Sequence, residues 1–181
     1  MLESPQAPKY AAMDLDALNR LSAADFTRTL AGIYVHSPWI AANAHAQAPF
    51  ADVDALLGAL RSAVAGAPHA RQLDLLRAHP ELAGKEAASG TLTAHSSEEQ
   101  KGAGLINLSE AEKAELTELN LRYRDKFGFP FIIAVRHHTK SGILAELRRR
   151  AGGDDVAREF AVCLEQVHEI ARLRLAHLLS P

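Results

Sequence analysis

A chain of 181 residues with 48% hydrophobic and 23% charged side chains can bury a sizeable core and has an ordinary globular composition. The formal net charge of −2 gives no electrostatic reason to expect nucleic acid as a partner, and a single cysteine excludes an internal disulfide. No run reaches the roughly 20 apolar residues that span a bilayer, and MLESPQAPKYAAM lacks the basic-then-apolar order of a secretory signal, so a cytoplasmic location is expected.

Residues 1–13, rich in Pro and Ala, read as a flexible tail, and residues 14–181 as one helical domain. Leu15, Leu18 and Leu21 mark a short apolar-faced helix. Ser22 can cap the next, in which Phe26, Leu30 and Tyr34 recur at i, i+4 and i+8. Pro38 opens a short helix in SPWIAANAHA. Asp52 precedes an amphipathic helix through Leu56, Leu60 and Val64 that ends near Gly66, and Pro68 starts another that stops at Pro80. An irregular stretch follows, and a short helix is expected from Ser96 to about Ala103. Ser109 with Glu112 is a capping-box pair ahead of the stripe Leu116, Leu119, Tyr123 and Phe127. GFPFIIAVR has strand-like composition but no partner strand, which predicts a buried extended linker between helices. Thr139 or Ser141, then Asp154 or Asp155, begin the last two helices. The final one carries Phe160, Leu164, Val167, Ala171 and Leu178 on one face, and Cys163 within it reads as a small buried hydrophobe. The fold class is all-α, about eight helices with one extended apolar segment.

Three constellations could carry chemistry. His79 ends a helix just before Pro80, where the negative end of the helix dipole favours imidazolium; it is either a helix-ending side chain on a free carbonyl or a general acid or base. Ser96 with Glu99, or Ser97 with Gln100, has capping-box spacing, yet the same helix N-terminus could hold a carboxylate. Arg174 falls on or beside the apolar face of the last helix. It must either snorkel to the surface, which sequence alone favours, or pair with a carboxylate such as Glu99 or with a bound anion. The nine histidines raise a metal site, but no HExxH or CxxC spacing exists and His69, His79 and His95 cannot share a helix face.

In order and spacing, LLRAHPELAGK, LTAHSSEEQKGAGL and LNLRYRDKFGFPFIIAVRHHTKSGIL resemble the OHCU decarboxylases, enzymes of uric acid degradation that act on 2-oxo-4-hydroxy-4-carboxy-5-ureidoimidazoline. The likeness extends to SPWIA and APF upstream and EIARLRL downstream. It implies an all-helical enzyme, usually a homodimer, that needs no metal or organic cofactor and converts OHCU to (S)-allantoin and carbon dioxide. The resemblance implies His79 as proton donor with Pro80 beside the substrate, and a substrate-binding stretch at Ser96, Ser97, Glu98, Glu99 and Gln100. It further implies substrate-contacting backbone at Phe131, Ile132, Ile133, Ala134 and Val135, and a role for Arg174, with Arg172 the competing match. His137 and His138 stand where the family more often has a Gly and a variable residue. The chain lacks the fused hydroxyisourate hydrolase domain of some relatives, so that activity is not expected.

The expected chemistry has His79 exchanging protons with the substrate hydroxyl or ring nitrogen, while Glu99 holds His79 or the ureido group. Gln100, Ser96 and the backbone near Ile132 would fix the ring, and Phe129, Phe131 and Ile133 would exclude water. Two competing classes are a non-catalytic helical interaction module and a metal hydrolase built on His79, His95 and another His.

Overall fold

Local capping signals set most of the helix starts. The structure, a computed structural model, describes residues 13–180, so nearly all of the expected N-terminal tail lies outside the described residues. Within them α1 (Leu15–Asn19) and α2 (Ala23–Thr29) start at Asp14 and Ser22, whose side chains accept from the N–H of Ala17 and Asp25. Next come α3 (Pro38–Ala44), opened by its proline, and α4 (Val53–Ala65), capped by Asp52. α5 (His69–Arg77) follows Pro68, and α6 (Lys85–Ser89) and α7 (Ala94–Gly102) lie in and beyond the irregular stretch. α8 (Glu110–Phe127) begins with the Ser109–Glu112 capping box. α9 (Lys140–Ala151) and α10 (Val156–Leu178) start at Thr139 and Asp155.

The architecture is all-α, as expected: ten α-helices and no strand among the described residues, eight of the helices having seven residues or more. Three local expectations need correction. α2 ends at Thr29, so Tyr34 is buried from a turn and not from a third helical repeat. The stretch after Pro80 contains α6, a single turn closed by Gly90 in the left-handed region. And α7 starts at Thr93, not Ser96: the Thr93 hydroxyl accepts from the Ser96 N–H.

α3 packs on α2 and α4, α9 packs on α8, and α10 lies against both α5 and α8. At 23 residues α10 is about 35 Å long, enough to run past most of the molecule. GFPFIIAVR is the expected buried segment: Phe129, Phe131, Ile132, Ile133, Ala134 and Val135 are all buried. It leaves α8 through Gly128, whose φ of +80° suits the chain reversal a side chain would resist. Its Phe129 and Phe131 join Tyr123 and Phe127 of α8 in an aromatic cluster, with Tyr123 edge-on to Phe131 at 5.5 Å between ring centres. No helix among the described residues is long and apolar enough to cross a membrane.

Candidate active site

The three-residue shift in the start of α7 decides what its side chains can do. With Thr93 as cap, Ser96, Glu99 and Gln100 follow at i, i+3 and i+4 on one buried helix face. None of them is spent on capping, so neither the Ser96–Glu99 nor the Ser97–Gln100 capping box forms. Ser97 and Glu98 point to solvent. That buried face meets the end of α5, the 131–135 segment and α10 around a cleft of about 380 Å³. α5 and the turn after it supply His79, Pro80 and Leu82; α7 supplies Ser96, Glu99 and Gln100; the segment supplies Phe131, Ile132, Ile133 and Val135; α10 supplies Arg174. Ala134 is buried but outside the lining, and Phe129 instead packs on Phe127 and Phe160. Leu82 was not anticipated from sequence.

α5 ends at Arg77 with Ala78 as its cap, so His79 lies just past the helix end and not at its last residue, and burial, not the helix dipole, governs its charge. Removal from water pushes the imidazole down from its ordinary value to about 4; the Leu75 carbonyl opposes this, and the Arg174 and His36 charges reinforce it. It is therefore neutral near pH 7. Its Nδ1 lies 2.9 Å from the Leu75 carbonyl oxygen, which can only accept, so Nδ1 carries the proton and Nε2 presents a lone pair. The expectation of a resting imidazolium is thereby reversed.

Arg174 does not snorkel. Its Nε and Nη2 donate to the two Glu99 carboxylate oxygens at 2.8 Å each, and the two side chains are 2% and 9% exposed. Nη1 donates to the Gly32 carbonyl at 3.2 Å and Nη2 also reaches the Ser96 hydroxyl at 3.4 Å. A parallel fork of this kind fixes both planes and is the arrangement that offsets the desolvation of two buried charges. Glu99 is thus held by Arg174, whereas the expectation had it holding His79 or the ureido group. Arg172 lies on the exposed side of α10 and pairs with Glu169, which separates the two arginines that sequence left in competition.

Gln100 is half committed. Its Oε1 accepts from the Ala83 N–H at 2.8 Å, and Ala83 has the unusual φ of +47°. Asn120 donates to the Leu82 carbonyl at 3.1 Å, so two side chains pin the turn that carries Pro80 and Leu82. The Gln100 amide N–H groups remain as donors. The Ser96 oxygen receives the Thr93 and Arg174 donors, leaving its own O–H proton to give. The cleft therefore offers one basic nitrogen, hydroxyl and amide donors, a fixed carboxylate–guanidinium pair and apolar walls. Among the described residues no group of three or more His, Cys, Asp or Glu side chains is placed to share an ion, and His95 stands apart beside Gly32.

A family model described as OHCU decarboxylase matches residues 19–176. A 2-oxo-4-hydroxy-4-carboxy-5-ureidoimidazoline decarboxylase of Haloferax volcanii is 39% identical over 168 residues, covering 93% of this chain and 97% of its own length. A putative enzyme of the same name from Homo sapiens is 38% identical, covering 92% and 96%. Among solved structures, an (S)-allantoin synthase superposes with a TM-score of 0.71 at 32% identity, covering 92% of this chain and 54% of that one.

Proposed function

The chain belongs to the OHCU decarboxylase family, and on that footing we propose that the cleft around His79 is where it performs the family's reaction. The enzyme is a carboxy-lyase of urate catabolism that decarboxylates OHCU to allantoin. The observation that carries the site assignment is the convergence of a neutral, buried His79 with Ser96, Glu99 and Gln100 on one cleft wall, opposite Phe131, Ile132 and Ile133.

In the substrate the departing carboxylate sits on a carbon that also bears the hydroxyl and adjoins a C=N bond. When the carbon–carboxylate bond breaks, its electron pair forms a C=C bond and the imine nitrogen takes a proton from solvent. The substrate is its own electron sink. The resulting enol must then lose its O–H proton and gain one at the ureido-bearing carbon. A neutral His79 with a free Nε2 suits that pair of steps: it accepts the hydroxyl proton and, as imidazolium, delivers it to one face of the ring. Donation from the same imidazole explains how a resting base also serves as the proton donor that the family resemblance implies. Ser96 O–H and the Gln100 amide suit the substrate's carbonyl and carboxylate oxygens, while the Arg174–Glu99 fork fixes the α7 face that carries them. Leu82, Phe131 and Ile133 form the apolar wall.

Delivery from a fixed imidazole to one ring face implies a single enantiomer, which the family resemblance makes (S). A homodimer in the cytoplasm belongs to the same proposal and rests on the family resemblance; light scattering on the purified protein tests the assembly. The activity is tested by generating OHCU in place from urate with urate oxidase and hydroxyisourate hydrolase, and following (S)-allantoin by circular dichroism. Acceleration over spontaneous decay, abolished by His79→Ala with the helical spectrum intact, is expected; no acceleration by the wild type would overturn the assignment.

A further inference from the structure

A lone extended segment inside a helical protein must find partners for its backbone without a neighbouring strand. Residues 131–134 find them in side chains. Arg150, on the buried face of α9, donates through Nη1 to the Ile132 carbonyl at 2.8 Å, and the Ile132 backbone also contacts the Cys163 sulfur. Two residues on, the Ala134 N–H donates to Gln166 Oε1 at 2.9 Å. In an extended chain a residue's N–H and C=O share one side and the next residue's point to the other. Ile132 and the Ala134 N–H are thus paired along the edge that faces α9 and α10, while the Ala134 carbonyl accepts from the His137 N–H at 3.0 Å in the turn that follows. Ile133 belongs to the opposite edge, and among the described residues its N–H and C=O make no hydrogen bond within the protein although the residue is 4% exposed. Ile133 lines the cleft.

Arg150 is itself fixed on every side. Nε lies 2.7 Å and Nη2 2.6 Å from Glu159 Oε1, Nη2 is 3.1 Å from Cys163 Sγ, and the guanidinium lies 4.5 Å from the centre of the Phe131 ring. Tyr123 donates its hydroxyl to the same Glu159 oxygen. A buried ion pair is weak evidence for stability but can fix one geometry among several. Here the geometry fixed is the register of one cleft wall.

We propose that Arg150 and Gln166 are positioning residues, which strap one edge of the 131–134 segment and so hold in register the substrate-contacting backbone that the family resemblance implies, with the Ile133 amide and carbonyl left free on the other edge. The role they serve rests on the activity proposed above. The ligand chemistry this edge fits is a cis-amide or urea group, which presents one donor and one acceptor side by side, as OHCU does in both its ring and its ureido arm.

Gln166→Ala is the decisive variant because Gln166 is only half-buried and its loss strands no charge; Arg150→Lys keeps the charge but not the fork. Hydrogen exchange of the peptide covering residues 129–135 should quicken in Gln166→Ala. KM for OHCU should rise about tenfold, the equivalent of one hydrogen bond to substrate, with the acid limb of the pH profile unmoved. Arg150→Lys should show the same signature, and Arg150→Met a larger one. A Gln166→Ala protein with wild-type exchange and wild-type KM overturns the proposal, whatever the Arg150 variants do. So does a fall in melting temperature with unchanged KM and kcat per folded molecule. Exchange reads the strap whether or not OHCU turns over, so an inactive wild type would count against the activity and not against the strap.

Discussion

Acidification from about pH 7.5 to about pH 5 should cost the folded state about 2 kcal/mol through His79 alone. The unfolded imidazole takes its proton near 6.5, whereas burial in the fold holds the group down to about 4. Between those values the unfolded chain binds the extra proton. Stability is therefore complete above the unfolded value, drains as the pH falls, and levels off below the folded one. His168, held down to about 4 by burial against Tyr34, acts in the same direction. Glu112 and Glu169, held near 2 by their Lys140 and Arg172 partners, titrate below this window. Urea unfolding across the range should show the slope, and His79→Asn, which keeps a donor for the Leu75 carbonyl but cannot titrate, should remove His79's share of it. The same protonation sets the activity. If neutral His79 is the working form, kcat/KM keeps a plateau from neutrality down to the folded value and falls about tenfold per pH unit below it. Stopped-flow mixing of freshly generated OHCU into buffers of different pH would read that limb. An inflection at the ordinary histidine value, or a His79→Asn protein with an unchanged stability slope, would refute the argument.

Arg174→Ala should lower the urea midpoint by the equivalent of about 3–5 kcal/mol, because it leaves the Glu99 carboxylate buried and unpaired; pairing it with Glu99→Gln should recover much of that stability and none of the turnover. Thr93→Ala removes the true cap of α7 and should cost about 1 kcal/mol in thermal unfolding; Ser96→Ala, which takes away a buried acceptor of the Thr93 and Arg174 donors, should cost about 1 kcal/mol as well and also raise KM for OHCU. Gly128→Ala forces a side chain into φ +80° and should destabilise by about 1 kcal/mol, visible as a lower melting temperature.

Helix starts were legible wherever a side chain two or three residues upstream of a backbone N–H could announce them. Asp52, Ser109 and Asp155 did so, although Val53 and Val156, directly after two of these caps, are exposed and apolar burial begins further in, at Leu56, Leu116 and Cys163. The extended linker was legible from the clash between its strand-like composition and the lack of a partner strand. α6 was not, because its five residues bury nothing and only Gly90 marks its end. The turn from Pro80 to Gly84 was equally opaque: its shape depends on Gln100 and Asn120, 17 and 38 residues from the backbone groups they hold.

The cleft itself turned on a choice among hydroxyls. TLTAHSSEEQ offers Thr93, Ser96 and Ser97 as caps, and each candidate start rotates the helix face by about 100° per residue. Spacing to an acidic residue favoured Ser96, since capping boxes reward it. What won is tertiary: starting at Thr93 buries Ser96, Glu99 and Gln100 together and delivers Glu99 to Arg174, a buried cation that would otherwise have no counter-charge. Arg174 sat on the apolar stripe of its helix, and that pattern posed a choice between snorkelling, which the sequence favoured, and the buried partner it has in the fold. The same test would have found Arg150, which follows Ile143 and Leu147 at i+7 and i+3 on the buried face of α9 but stands hidden in the run Arg148, Arg149, Arg150. Periodicity identifies which arginine must either reach the surface or be paired. It cannot name the partner, because that is set by how α7 and α10 meet 75 residues apart.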